Sequence, residues 1–134
     1  MFKYMLIAMG VLLFAGCSST SDWDGMSENE ISAWQLAGFE ARDAQQWKEE
    51  NFTVLEAEAW SSGSFSTQEA TQWRDDGFAA VEATRWQQLS IPLEDAQEWK
   101  ARQFTPEQAH DWITAGFTLQ EAEEGRAKGL EPTN

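Results

Sequence analysis

Few side chains in this 134-residue chain are suited to covalent or proton-transfer chemistry. Cys17 is its only cysteine and His110 its only histidine, too few for a disulfide framework or a zinc site. His110 stands beside Asp111, a pairing that can make a general base. No motif places a nucleophile for that base, so a surface histidine is the expectation. The acidic pairs Glu49-Glu50, Asp75-Asp76 and Glu123-Glu124 carry the hard oxygens that calcium takes. None has the D-x-D-x-D-G loop spacing that makes such oxygens converge, so a solvated acidic face is expected instead. Phosphate loops, nucleotide fingerprints and metal-ligand spacings are absent from the sequence. The expectation is a chain with no catalytic residue, no cofactor and no metal.

Cys17 gains meaning from what precedes it. Residues 1–17 read MFKYMLIAMGVLLFAGC: a short basic start with Lys3, an apolar run from Met5 to Phe14, then the small residues Ala15 and Gly16. A helix of that apolar run spans about 15 Å, half a bilayer core, so a secretory signal is expected and not a permanent span. Phe14-Ala15-Gly16-Cys17 resembles the lipobox of bacterial lipoprotein precursors, with Phe14 where Leu is more usual. The resemblance covers only the signal and Cys17. It implies removal of residues 1–16, a thioether-linked diacylglycerol on Cys17, and further acylation with palmitate-type chains. It also implies anchoring in the cell envelope. Ser18, where Asp would hold such a protein in the inner membrane, favours the outer membrane if the source is Gram-negative. Residues 17–26 then read as the lipidated cysteine and a flexible tether. Trp23 within it is expected either at the bilayer interface or packed on the first helix.

The remaining chemistry is one of charge and aromatic surface. Nine Lys and Arg face 23 Asp and Glu, a formal net charge of −14. That excludes a nucleic-acid role, which needs a basic surface. So acidic a chain usually reads as disordered, but eight Trp and eight Phe contradict this. Their spacing resolves the conflict. Trp34, Trp47, Trp60, Trp73, Trp86, Trp99 and Trp112 recur every 13 residues without a slip. Five residues after each comes Phe39, Phe52, Phe65, Phe78, Ile91, Phe104 and Phe117. An eighth copy carries Gly125 and Leu130 in these slots, and the eight copies tile residues 27–130, leaving 131–134 as a tail.

The elements that must position these rings are short helices. Ser27, Thr53, Ser66, Thr105 and Thr118 stand at N-cap positions, each followed three residues later by Glu or Gln, which predicts capping boxes. Asp43, Glu82 and Asp95 hold the acid in the other copies, where it suits the positive end of the helix dipole. Gly38, Gly77, Gly116 and Gly129, with Asn51, occupy the left-handed position that ends a helix. One continuous helix is excluded by this punctuation. Helices of about nine residues are unstable alone, so they must survive by burying Trp, Ala and Phe against neighbouring copies. The predicted fold is all-α: about eight short helices in a solenoid-like or compact superhelical array, right-angled or antiparallel.

A 26-residue rhythm overlies the first. The residue after Trp is basic in even copies (Lys48, Arg74, Lys100, Arg126) and uncharged in odd ones (Gln35, Ser61, Gln87, Ile113). This predicts helix pairs as the unit. Leu89-Ser90-Ile91-Pro92 departs from the usual turn, and a bend is expected there.

The Trp series could serve as stacking platforms for sugars. Their helical spacing from Ala and their Phe partners favour a core instead. The expected function is a non-enzymatic, membrane-anchored protein–protein interaction or scaffold module. Its expected partner is an envelope protein with a basic surface. The alternative is a lipoprotein that binds peptidoglycan or another glycan through exposed Trp faces.

Overall fold

The computed structural model describes residues 20–132. A 3-10 turn at Thr20–Trp23 leads into eight α-helices of nine residues each: α1 Glu28–Leu36, α2 Ala41–Glu49, α3 Val54–Ser62, α4 Thr67–Asp75, α5 Ala80–Gln88, α6 Leu93–Ala101, α7 Pro106–Thr114 and α8 Leu119–Ala127. No strand occurs among the described residues. The fold is an all-α array in which each 13-residue copy is one helix and one turn.

Both ends of each helix follow from the repeat. All five expected capping boxes form: the hydroxyl of Ser27, Thr53, Ser66, Thr105 or Thr118 accepts the N3 backbone N–H, and the N3 side chain accepts the N-cap N–H. Helices α2, α5 and α6 begin at Glu40, Ala79 and Pro92 with no side-chain cap. The C-terminal ends are all alike. The N–H of the Phe-slot residue donates to the carbonyl of its own Trp slot, from Phe39 to Trp34 (3.0 Å) through Leu130 to Gly125 (2.9 Å). The preceding residue lies at positive φ in every copy. This is the Schellman ending, which satisfies carbonyls that a helix terminus otherwise leaves unpaired.

Glycine does not decide where that left-handed residue falls. Ser64, Ser90 and Gln103 adopt it at φ 65°, 60° and 64°. Gly63, one residue before Ser64, keeps an ordinary φ of −81°. Its glycine serves a different purpose. A Cβ there would lie 2.3 Å from Thr84 Oγ1 on α5 and 3.0 Å from the Phe65 ring, so Gly63 lets α3 and α5 approach closely.

The core is the repeated triplet of Trp, Ala and Phe slots. None of the seven Trp from 34 to 112 is more than 7 % exposed, and Trp86 is fully buried. Each Phe lies edge-on to its own Trp, with centroids 4.9–5.3 Å apart. Phe39, Phe52 and Phe65 also meet the Trp of the next copy at 5.9–6.4 Å. One ring thus fixes the exit from one helix and the start of the next. Two expected core residues are less enclosed: Phe39 is half-buried, and Phe117 is 37 % exposed because Gly125 offers no ring to cover it.

Two expectations need correction. The junction at 89–92 is regular: Ser90 takes the left-handed position, Ile91 donates to the Trp86 carbonyl at 3.0 Å, and α6 starts on schedule. Backbone geometry there survives the loss of the Phe ring and the hydroxyl cap. The expected tether of 17–26 is also shorter than its span suggests. Trp23 and Met26 pack against the core, and Gln45 of α2 donates to the Asp22 carbonyl at 2.6 Å. Gly25 (φ 77°) and Met26 stand 13 residues before Gly38 and Phe39, so they form the closing turn of a partial copy that caps the first end. Trp23 thus packs on the protein, and the 3-10 turn that carries it lies against α2.

Candidate functional site

The side chains singled out in the sequence divide between core and surface. The Trp series lies inside, and its buried rings leave no stacking face for a sugar. His110 is half-buried, and its Nε2 lies 3.5 Å from Thr114 Oγ1, a hydroxyl one turn away at the limit of a hydrogen bond. No base–nucleophile pair results. Glu49, Glu50, Asp75, Asp76 and Glu124 are exposed, with Glu123 partly so. Among the described residues, no three of His, Cys, Asp and Glu converge closely enough to hold a metal ion. No described helix is long and apolar enough to cross a membrane. Cys17 and Ser18 lie outside the described residues.

What remains is an organised charged surface, built by the 26-residue rhythm. Arg74 of α4 donates to the Glu50 carbonyl at the end of α2 (2.7 Å) and lies 4.1 Å over the Phe52 ring. Lys100 of α6 donates to the Gly77 carbonyl at the end of α4 (3.1 Å), lies 4.3 Å over Phe78 and pairs with Glu82 at 3.0 Å. Arg126 of α8 reaches the Arg102 carbonyl at the end of α6 (2.8 Å) and lies 4.0 Å over Phe104. Lys48 of α2 does the same to the partial copy, donating to the Gly25 carbonyl at 3.0 Å and pairing with Glu30 at 3.0 Å. Each cation thus caps the carbonyl end of the helix or turn two copies back, where the dipole is negative. Each of the three over a Phe adds a cation–π contact. Helices of one parity stand side by side in a row, and the ladder runs along the even row.

The sequence placed these cations in the last turn of their own helices, and α2, α4, α6 and α8 do carry them there. Their partners lie 23 or 24 residues away, beyond any local pattern. Two further pairs, Arg85 with Glu107 and Arg102 with Glu123, join neighbouring helices of the same parity. Six of the described cations are therefore held against the protein itself, and only Arg42 and Lys128 are left without such a contact among the described residues. Many of the acids are not so used. Glu49, Glu50, Asp76, Glu94, Asp95, Glu98 and Asp111 belong to no ion pair. An open groove of about 470 Å³ between α2 and α4 is lined by Gln46, Glu49, Glu50, Gln68, Thr71 and Gln72. It presents amides and carboxylates without a cation.

The capping carboxylates carry their own pH dependence. The Ser27 backbone N–H, then Lys48 and the Ser27 hydroxyl, hold Glu30 down to about 2 from an ordinary value of 4.5. Backbone N–H donors at Thr53, Ser66 and Thr118 likewise lower Glu56, Glu69 and Glu121, and Arg85 lowers Glu107. A carboxylate lowered on folding stabilises the fold above its unfolded pKa, and this is lost as pH falls through the folded value. For Glu30 the window runs from 4.5 down to about 2. Glu30→Gln keeps the box, as Gln108 does in α7, but cannot titrate. The variant should be less stable than the natural chain at pH 7. Denaturant titrations across the window should show that difference closing at the acid end; a constant gap would refute the assignment.

No family model, curated protein or solved structure matches the chain.

Proposed function

We propose that this protein is a lipid-anchored, non-enzymatic module of the bacterial cell envelope, whose acidic helical array binds a protein with a basic surface. The observation that carries this reading is the unequal use of charge: the array turns its cations inward onto its own carbonyls and carboxylates, and turns its acids outward. A surface so biased repels anionic polymers and attracts basic proteins, with salt-sensitive association. The lipobox-like residues Phe14-Ala15-Gly16-Cys17 supply the anchor, and Ser18 favours the outer membrane. The short segment between Cys17 and the 3-10 turn at Thr20 keeps the array near its membrane.

Two measurements test the reading. Cys17→Ser should abolish labelling by a radioactive fatty acid and leave the precursor uncut; normal maturation of the variant would sink the anchor. Partners cross-linked to the tagged, lipidated chain in intact cells should be lost when Glu49, Glu50, Asp75 and Asp76 are replaced by their amides. Partners retained after that change, and retained in high salt, would argue against an electrostatic acidic interface. The glycan alternative has lost its exposed Trp faces, since all seven repeat Trp are buried.

A further inference from the structure

In its even row the array shows how it holds a cation, and at its C-terminal end the odd row presents the same parts without one. The even row's most complete seat has three parts: a Phe ring, the carbonyls that close the helix before it, and the carboxyl side chain four residues before the next Trp slot. Phe78, the Gly77 carbonyl and Glu82 hold Lys100 in this way. Under their cations Phe52, Phe78 and Phe104 are 3–4 % exposed, and Phe65, which has no cation but meets the Trp of the next copy, is 5 % exposed. After α7 the same parts recur as Phe117, the Ala115 and Gly116 carbonyls, and Glu121. Here no cation arrives from the described residues, and Phe117 is 37 % exposed. Glu121 spends Oε2 on its capping box with Thr118, as Glu30 does with Ser27. The oxygen that in Glu30 takes Lys48, Oε1, makes no ion pair in Glu121. Gly125 supplies no ring beside Phe117, and the Trp112 ring lies where a side chain at Gly125 would begin, 2.6 Å from the place of its Cβ.

We infer that this end of the array is a receptor for a partner's Arg or Lys side chain, laid over Phe117 with its charge against Glu121 and the carbonyl end of α7. The inference rests on the reading of a basic partner above and names where that partner's cation sits. A second copy of this chain is a poor occupant. Its first end would bring Asp22, Asp24 and Glu28 towards Glu121, Glu123, Glu124 and Glu131, like charge against like. A guanidinium suits the seat best, since it stacks on a ring while its N–H groups reach a carboxylate and a carbonyl together. Arg74 and Arg126 stack on a ring and donate to such carbonyls internally.

The test is an NMR titration of the mature chain, with ring-labelled phenylalanine and backbone 15N, using a tetra-arginine peptide and a tetra-glutamate control. The expected result is a saturable shift of the Phe117 ring and of the Ala115–Glu121 amides, larger than at any other Phe. Phe117→Leu should weaken the peptide by about fivefold. Glu121→Gln, which keeps its capping box as Gln108 does, should weaken it by about two- to fivefold. Shifts spread over Glu49, Glu50, Asp75 and Asp76 and unchanged by Phe117→Leu would overturn the seat while leaving the basic-partner reading intact. An absence of any arginine-dependent shift at low salt would overturn both.

Discussion

Trp86→Ala should remove about 3–5 kcal/mol of stability, which is a large share of the roughly 5–15 kcal/mol that holds a domain folded. Trp86 is the one large side chain with no exposure at all. It lies in α5 with three or more helices on either side, so the cavity cannot collapse by fraying an end. Helical arrays are stabilised chiefly by contacts between neighbours, and a void in the middle uncouples the two halves. The urea transition should therefore move to lower concentration and also broaden. A sharp transition shifted by under about 1 kcal/mol would show that α5 repacks, against expectation. Phe117→Ala, at an open ring, should cost far less. Trp86 has a second peculiarity: its Nε1–H is buried without a hydrogen-bond partner in the protein. Leaving such a donor unmade costs about 1–3 kcal/mol, so Trp86→Phe should be milder than Trp73→Phe by an amount of that order.

Gly63→Ala should be destabilising by about 1–3 kcal/mol, although backbone propensity argues the opposite way. At φ −81° alanine is unstrained, and replacing glycine near a helix end gains up to about 1 kcal/mol. Packing decides the sign, because the new methyl would sit 2.3 Å from Thr84 Oγ1 and 3.0 Å from Phe65 ring carbons. The Thr84 hydroxyl donates to the Ala80 carbonyl within its own helix at 2.7 Å, which holds it in place. Thr84→Ala alone should be nearly neutral, since that carbonyl is already served by the helix. In the double variant most of the loss should return. A double-mutant cycle by chemical denaturation checks this: a coupling below about 0.5 kcal/mol would mean that α3 and α5 part without strain.

The repeat made much of the fold legible. Ser27, Thr53, Ser66, Thr105 and Thr118 announce their capping boxes because a hydroxyl and a carboxyl or amide three residues apart act locally. The Trp and Phe slots announce the core because 13 residues return each ring to an equivalent place. Ser64, Ser90 and Gln103 were illegible as left-handed residues. Their conformation is imposed by the Schellman closure and the packed ring that follows, which outweigh a local cost of about 1–2 kcal/mol. The regular turn at 89–92 was missed for the same reason. Gly25 and Met26 could have been found, because they continue the 13-residue register upstream. The seats of Lys48, Arg74, Lys100 and Arg126 could not. Only the alternation of charge was visible, and the carbonyls and rings it serves lie two copies away.

The ladder also governs how such a chain can change length. Each rung joins a copy to the one two before it, so the even row owns the cations and the odd row does not. Losing one 13-residue copy, residues 53–65 for example, would set Arg74 over Phe39 and carry every later rung to the opposite side. Phe52 would be stripped of its cover at the seam. Losing residues 53–78 instead would bring Lys100 over Phe52 and leave all rungs on one side. Duplication and deletion thus keep the ladder in register in steps of two copies and break it in steps of one, so the unit by which this architecture can lengthen is the helix pair.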